Sequence, residues 1–179
     1  MPASTITRQS TMREVLEAFP GAQRALFRRY HIGGCSSCGF EPSETLEQVC
    51  SRHNVLDLQE VLDHLLQAEE LDRKLTVKPK DVADLLKAGK VKLLDVRQEF
   101  EREAASIEGS QLVTQELVDE AFRTWPKDTP IVFYCHRGSR SLDAAAYFLG
   151  HGFSDVRSMD GGIDAWSQEI DQSVPRYRF

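Results

Sequence analysis

The chain has 179 residues, of which 41% are hydrophobic and 28% are charged, and its formal net charge is −6. This negative balance argues against a general nucleic-acid or anionic-membrane surface, and no apolar run approaches the ~20 residues of a membrane span. The first residues lack the basic and apolar blocks of a signal peptide, and the cysteines suit a reducing compartment better than a secreted disulfide framework. We therefore expect a cytoplasmic protein with one medium or two small domains.

The first 72 residues have the pattern of a small all-α domain. Thr11 and Glu14 have the spacing of a capping box, which predicts that a helix begins there. Pro20 should end this helix, because proline lacks the N–H group that would continue the hydrogen-bond ladder. A second apolar stripe predicts another helix up to about Tyr30.

Two further helices are predicted before the pattern changes. Ser43 is placed to cap the third helix, because its hydroxyl could accept a hydrogen bond from the first turn. The fourth helix is predicted to begin at Asp57 and to extend through residues 69–74. Its inward face is predicted to carry Val61, Leu62, Leu65 and Leu66.

A glycine-rich turn between the second and third helices holds a Cys-x-x-Cys pair, Cys35 and Cys38. We favour a redox or relay role, in which the pair cycles to a disulfide or accepts sulfur from another cysteine. The pair could instead bind a metal together with Cys50 and His53, which lie on one helical face. The simplest alternative is a tight turn with inert thiols, with Cys50 and His53 packed in the core. We predict no resident metal or other cofactor.

From residue 73 the pattern becomes an alternation of strands and helices. The predicted strands are 75–77, 92–96, 112–113, 131–135 and 155–157. The predicted helices are 79–87, 98–105, 116–123, 141–149 and 163–169. Such alternation implies a parallel sheet covered by helices on both faces. We therefore divide the chain into a helical domain, 1–72, and an α/β domain, 73–179.

The predicted strand at 131–135 ends at Cys135, and small and basic residues lead from it into a helix. Open α/β sheets place ligand sites at the carboxyl ends of their strands. A loop that enters a helix N-terminus directs backbone N–H groups and the positive end of the dipole towards one spot. Arg137 and Arg140 add two full charges. Because this field favours the thiolate, which is the reactive form, Cys135 is predicted to be a nucleophile.

Residues 135–141 resemble the active loop of the rhodanese (sulfurtransferase) family, whose pattern is Cys-x-x-Gly-x-Arg. Three other segments resemble motifs of that family in the same order, namely Leu93–Arg97, Ile107–Gly109 and Gly161–Trp166. Two positions beside the middle segment depart from the family, with Ser106 in place of histidine and Ser110 in place of alanine. The resemblance covers about residues 75–172 and implies a rhodanese-like five-stranded parallel sheet with helices on both faces.

The length of the loop separates two chemistries. Rhodanese-like loops run Cys-x4-Arg and hold a persulfide, whereas related cell-cycle phosphatases have one residue more and a wider cradle for phosphate. Cys135 and Arg140 have the Cys-x4-Arg spacing. The loop therefore favours sulfur over phosphate.

The resemblance implies that Cys135 takes sulfur from a donor such as thiosulfate, becomes a persulfide and passes the sulfur to cyanide, a thiol or a protein cysteine. Backbone N–H groups of the loop are expected to hold the thiolate and the persulfide. The predicted loop residues are His136, Arg137, Gly138, Ser139, Arg140 and Ser141. Arg137 is the candidate for binding an anionic donor, Arg140 for bracing the loop and His136 for lining it.

Asp95 and Arg97 are the candidates for supporting the active site, because Asp95 lies at the carboxyl end of the predicted strand 92–96 and Arg97 directly follows it. Asp95 could anchor the loop or the following turn, and a simple turn cap is an equal alternative. The two side chains could also pair with each other.

The helical segment, about residues 5–67, resembles the small hybrid-cluster-protein-associated redox disulfide domain and, more distantly, the N-terminal module of iron–sulfur repair proteins. The matching residues are Phe19-Pro20, Tyr30-His31-Ile32, Cys35-x-x-Cys38, Glu44-Thr45-Leu46 and Cys50. This resemblance implies a redox-active or metal-touching cysteine pair. The sequence therefore predicts a sulfurtransferase with a relay or redox module. The alternative is a sulfur carrier, sensor or partner-binding protein with little turnover, and the oligomeric state is left open.

Overall fold

A computed structural model describes residues 6–33 and 39–177. The chain divides into two compact units, Met1–Lys74 and Leu75–Phe179. Among the described residues, no helix has both the length and the apolar character that crossing a membrane requires.

The first unit contains four helices within its described residues. They are α1 (Met12–Ala18), α2 (Ala22–Tyr30), α3 (Leu46–Arg52) and α4 (Leu58–Leu75), and the last residue of α4 is the first residue of the second unit. The predicted capping box at Thr11 is confirmed, because its hydroxyl accepts from the N–H of Glu14 and the Glu14 carboxylate accepts from the N–H of Thr11. The helices enclose a core that includes Met12, Val15, Leu26, Leu46, Val49, Val61 and Leu65.

Two predictions for this unit are wrong. The cap of α3 is Thr45 rather than Ser43, since the Thr45 hydroxyl accepts from the N–H of Gln48 at 3.2 Å and the Gln48 side chain returns the bond. Leu66 does not face the core and is 51% exposed, because it lies one residue round the helix from the buried pair Val61 and Leu65.

The second unit is a five-stranded parallel sheet with strand order β1-β5-β4-β2-β3. The strands are β1 (Thr76–Val77), β2 (Lys92–Asp95), β3 (Gln111–Leu112), β4 (Ile131–Tyr134) and β5 (Val156–Met159). The helices are α5 (Pro79–Lys87), α6 (Glu99–Ala104), α7 (Gln115–Thr124), α8 (Ser139–Gly150) and α9 (Gly162–Glu169). The predicted fold class, an α/β unit with a parallel sheet preceded by helices, is confirmed.

Both faces of the sheet are covered. In the central strand β4, Val132 and Tyr134 belong to one apolar cluster, while Ile131 and Phe133 belong to another. All four residues are fully buried. This explains why β4 reads as a continuous apolar run rather than an alternating one.

Two boundaries differ from the prediction in ways that shape the site. Helix α8 begins at Ser139, two residues before the predicted start, because Gly138 at φ 98° forms its N-cap and turns the chain directly into the helix. Strand β5 runs on to Met159, so Ser158 lies inside it and is buried. Ser158 pairs with Phe133, close to the carboxyl end of β4.

Candidate active site

Cys135 directly follows β4 and lies at the base of the loop that enters α8. The residue is only 2% exposed. The Gly138 N–H donates to Sγ at 3.1 Å. The Ser141 hydroxyl has two acceptors in reach, the carbonyl of Gly138 at 3.1 Å and Sγ at 3.5 Å. Several N–H groups of the loop were predicted to face the sulfur. Among the described residues, the N–H of Gly138 is the one that donates to it directly. Two converging donors can stabilise negative charge on this sulfur.

The Ser141 hydroxyl is itself hydrogen-bonded to a second buried hydroxyl, that of Ser158. Ser158 Oγ donates to Ser141 Oγ at 2.8 Å, and both side chains are buried. Because Ser141 accepts this bond, its own hydroxyl becomes a stronger donor. The sequence analysis missed Ser158. The available signal was a serine directly after the predicted strand at 155–157.

The Gly-Gly motif at residues 161–162 lets the backbone of α9 approach the loop closely. The N–H of Ile163 donates to the carbonyl of Cys135 at 2.9 Å, and the N–H of Asp164 donates to the carbonyl of His136 at 3.1 Å. A Cβ on Gly162 would lie 2.3 Å from the carbonyl oxygen of Cys135, and its φ of 57° also disfavours other residues. This motif therefore fixes the backbone on both sides of the nucleophile.

Arg140 ties the start of α8 to α6 through Glu101. Its two terminal nitrogens each donate to one oxygen of the Glu101 carboxylate at 2.7 Å. These bonds lower the pKa of Glu101 to about 2, although burial acts in the opposite direction. The Tyr177 hydroxyl adds a 3.2 Å contact to the same carboxylate. The sequence analysis did not predict Glu101 and Tyr177, because both are distant from the loop in sequence and contact it only in the folded protein.

The depressed pKa of Glu101 predicts an acid-sensitive stability. Because its pKa falls from 4.5 to about 2, the ionised group stabilises the fold above pH 4.5, and this stabilisation is lost as the pH falls through about 2. We expect Glu101→Gln to be less stable than wild type at neutral pH and to lose less stability on acidification. Urea denaturation at a series of pH values measures this.

The matched control is Glu103→Gln, which changes an exposed carboxylate on the same helix. It should keep the pH dependence of the wild type. A Glu101→Gln protein whose stability falls with pH as steeply as that of the wild type would contradict the expectation.

Asp95 and Arg97 form a buried ion pair beside the loop. The Asp95 carboxylate accepts from Arg97 Nε at 2.9 Å and from Nη2 at 2.7 Å, and both side chains are 0% exposed. Asp95 Oδ1 also accepts from the N–H of Arg97, so it caps the turn as well. Tyr134 connects the pair to β4, because its hydroxyl donates to Asp95 at 2.8 Å. The two alternatives of turn cap and internal pair therefore occur together.

Ser110 joins the same buried network. Its hydroxyl donates to the carbonyl of Ile107 at 2.6 Å and lies 2.9 Å from the Tyr134 hydroxyl. Arg102 also donates to the Ser110 hydroxyl at 2.9 Å. The Ser110 hydroxyl thus serves as a hydrogen-bond partner for the Ile107 carbonyl, the Tyr134 hydroxyl and Arg102. The alanine of the family would not supply this partner.

The outer loop residues differ in their surroundings. Arg137 is exposed, whereas His136 is half-buried and stacks on Tyr177 with ring centroids 4.4 Å apart. Burial and then the charge of Arg137 lower the pKa of His136. Arg137 is therefore the loop cation most open to an incoming anion.

The predicted Cys35 and Cys38 pair lies outside the described residues. Cys50 is fully buried in the core of the first unit, and burial raises the pKa of its thiol to about 11, which keeps it unreactive. His53 Nε2 is buried, and no described residue gives it a hydrogen bond. Within residues 6–33 and 39–177, no group of three or more histidine, cysteine or acidic side chains could hold a metal ion.

Known proteins resemble the second unit. The family model for the rhodanese-like domain matches residues 78–169. The chain is 35% identical over 105 residues to the probable adenylyltransferase/sulfurtransferase MoeZ of Mycobacterium tuberculosis, covering 57% of this chain but only 27% of MoeZ. It is 34% identical over 88 residues to the thiosulfate sulfurtransferase GlpE of Pseudomonas fluorescens, covering 49% of this chain and 81% of GlpE.

A solved structure of the human single-domain sulfurtransferase TSTD1 gives a TM-score of 0.48 at 23% identity, over 53% of this chain and 96% of that one. The family match lies entirely in the second unit. The resemblance of residues 5–67 to the redox disulfide domain stays a prediction.

Proposed function

Because the chain belongs to the rhodanese-like domain family, we propose that it is a sulfurtransferase that carries sulfur as a persulfide on Cys135. The observation that carries this proposal is the placement of the Cys135 sulfur at the start of a helix, where it accepts a hydrogen bond from the Gly138 N–H and has the Ser141 hydroxyl in reach at 3.5 Å. These donors suit a thiolate before the transfer and an anionic persulfide after it.

The proposed donor is thiosulfate or another sulfane sulfur compound. The Cys135 thiolate attacks the outer sulfur of thiosulfate, the S–S bond of the donor breaks, and sulfite leaves with the electron pair. An acceptor, namely cyanide, a small thiol or a protein cysteine, then attacks the outer sulfur of the persulfide and returns Cys135 to the thiolate. No cofactor takes part in this proposal, since the cysteine itself carries the transferred atom.

Formation of thiocyanate from thiosulfate and cyanide tests this function. Steady turnover would support an enzyme. A single loading of sulfur without turnover would instead favour the alternative, a sulfur carrier or sensor. The enzyme and the carrier both require Cys135 to carry sulfur. A protein that takes up no sulfur on Cys135 would therefore contradict both functions.

Replacing Arg137 with alanine should weaken the use of thiosulfate. Because Arg137 is exposed in the loop next to the nucleophile, its charge is available to a dianionic donor. We expect the KM for thiosulfate to rise by about tenfold, which corresponds to one lost charge-assisted contact. The melting temperature should stay close to that of the wild type.

Two comparisons test this role. The control Arg123→Ala removes a cation at the end of α7 and should leave the KM unchanged. An unchanged KM in Arg137→Ala would remove Arg137 from donor binding.

The Cys35 and Cys38 pair is proposed as a relay or redox partner of this chemistry. A dithiol can accept sulfur from a persulfide and can cycle to a disulfide. In this proposal the sulfur loaded on Cys135 reaches one of the two thiols before it leaves the protein. Mapping the position of the added sulfur distinguishes this relay from direct release.

A further inference from the structure

The imidazole of His136 is fixed on one face, while its nitrogens bond to none of the described residues. Its backbone is held by the N–H of Asp164, which donates to the His136 carbonyl at 3.1 Å. In the part of the chain that the structure describes, neither ring nitrogen of His136 takes part in a hydrogen bond. Because His136 belongs to the same loop as the nucleophile Cys135, a ring nitrogen without a partner among the described residues is open to a ligand of this loop.

Tyr177 holds this ring in one orientation. The two rings stack with an interplanar angle of 15° and a centroid distance of 4.4 Å. The hydroxyl of Tyr177 is itself fixed, since it accepts from Arg97 Nη1 at 2.7 Å and contacts the carboxylate of Glu101 at 3.2 Å. Tyr177 lies beyond residues 78–169, which match the family model. This support for the loop is therefore a feature of this chain outside the matched segment.

Burial and the neighbouring arginines favour the neutral form of the His136 imidazole. Burial against Tyr177 and the charge of Arg137 lower its pKa, Arg140 acts in the same direction, and Asp164 and Glu101 oppose them. The pKa of His136 therefore lies below its ordinary value of 6.5. At neutral pH the ring can therefore accept a proton.

We propose that His136, oriented by Tyr177, is the base that deprotonates thiol acceptors of the sulfur on Cys135. This inference rests on the proposed function and extends it to the second half of the reaction. A thiol acceptor is mostly protonated at neutral pH and must lose its proton before it can attack, because the thiolate is the nucleophile. In this role Tyr177 is a positioning residue and His136 a catalytic one.

The proposed step balances without any added oxidant or reductant. The thiol proton passes to a ring nitrogen of His136, and the acceptor sulfur attacks the outer sulfur of the Cys135 persulfide. The S–S bond to Cys135 Sγ breaks, and its electron pair stays on Sγ as the thiolate. His136 then releases the proton to water, while the acceptor leaves as a persulfide.

Two acceptors that differ in protonation test this role. An alkyl thiol is protonated at neutral pH, whereas thionitrobenzoate, an aromatic thiol, is already ionised and needs no base. With the full chain and thiosulfate as donor, we expect His136→Gln to lower kcat/KM for the alkyl thiol by about 100-fold. The loss with thionitrobenzoate should be far smaller.

Substitutions at Tyr177 separate the stacking from the hydroxyl contacts. Tyr177→Phe keeps the ring and should retain most of the alkyl-thiol activity, whereas Tyr177→Leu should lose it selectively. In Tyr177→Leu, NMR titration should also show the pKa of His136 rising, because the ring becomes more exposed. Tyr147→Leu is the control, since it removes a tyrosine on α8 that is 53% exposed. It should change neither the acceptor selectivity nor the titration.

Equal losses with the two thiols in His136→Gln would overturn the inference, as would transfer by the wild type to cyanide but to neither thiol. An unchanged titration of His136 in Tyr177→Leu would overturn the positioning role. If the wild type transfers sulfur to cyanide and to neither thiol, the proposed function stands. If it transfers sulfur to no acceptor and takes none from the donor, the proposed function itself fails.

Discussion

Cys135→Ser is expected to abolish sulfur transfer while leaving the protein folded. Serine is nearly isosteric with cysteine, so the Gly138 N–H that donates to the sulfur in the wild type can donate to the serine hydroxyl in the variant. Its hydroxyl is scarcely nucleophilic at neutral pH and cannot hold a persulfide. We expect thiocyanate formation to fall by at least about 1000-fold, to the level of the assay without protein.

The chain offers a matched control in Cys50. This cysteine is fully buried in the first unit, and the raised pKa of its thiol keeps it protonated. Cys50→Ala should therefore keep the rate of transfer per folded molecule. Transfer that persists in Cys135→Ser would show that another residue carries the sulfur.

Arg97→Met is expected to cause the largest loss of stability, about 3 to 5 kcal/mol in the free energy of unfolding. The substitution leaves the carboxylate of Asp95 buried at 0% exposure without its main counter-ion. It also removes donors from the carbonyls of Glu101 and Ala105, to which Arg97 bonds at 3.2 and 2.7 Å. Urea denaturation at neutral pH measures the loss.

The same tripeptide, Asp-Val-Arg, occurs again at residues 155–157 and provides the control. There Arg157 pairs with Asp155 at 2.8 Å, but their side chains are 31% and 39% exposed. Arg157→Met should therefore cost no more than about 1 kcal/mol. Equal losses in the two variants would show that burial of the first pair contributes nothing to stability.

The fold of the second unit could be predicted because its signals are local. The apolar run of β4, the glycine of the loop and the apolar stripe of α8 follow one another along the chain, and each fixes its own segment. Helix boundaries depend on finer signals, as the first unit shows. At α3, Ser43 and Thr45 both had the right chemistry, and only Thr45 has the Gln48 partner three residues later that completes the box.

The supporting residues of the site could not be found in the same way. Glu101 and Arg140 are 39 residues apart, and Tyr177 is 76 residues from Glu101. A glutamate in a polar helix gives no sign of its partner until the sheet brings the two helices together. The sequence located Cys135 and its loop because strand, loop and helix are contiguous, whereas the groups that brace this loop are assembled by tertiary structure.

Intact-protein mass spectrometry after exposure to thiosulfate, followed by peptide mapping, tests the central proposal most directly. We predict the addition of one sulfur atom on Cys135, its removal by cyanide, and its absence from Cys135→Ser. Sulfur found on Cys35 or Cys38 in addition would support the relay. If the wild type gains no sulfur, or if Cys135→Ser gains as much as the wild type, persulfide transfer through Cys135 from thiosulfate is contradicted.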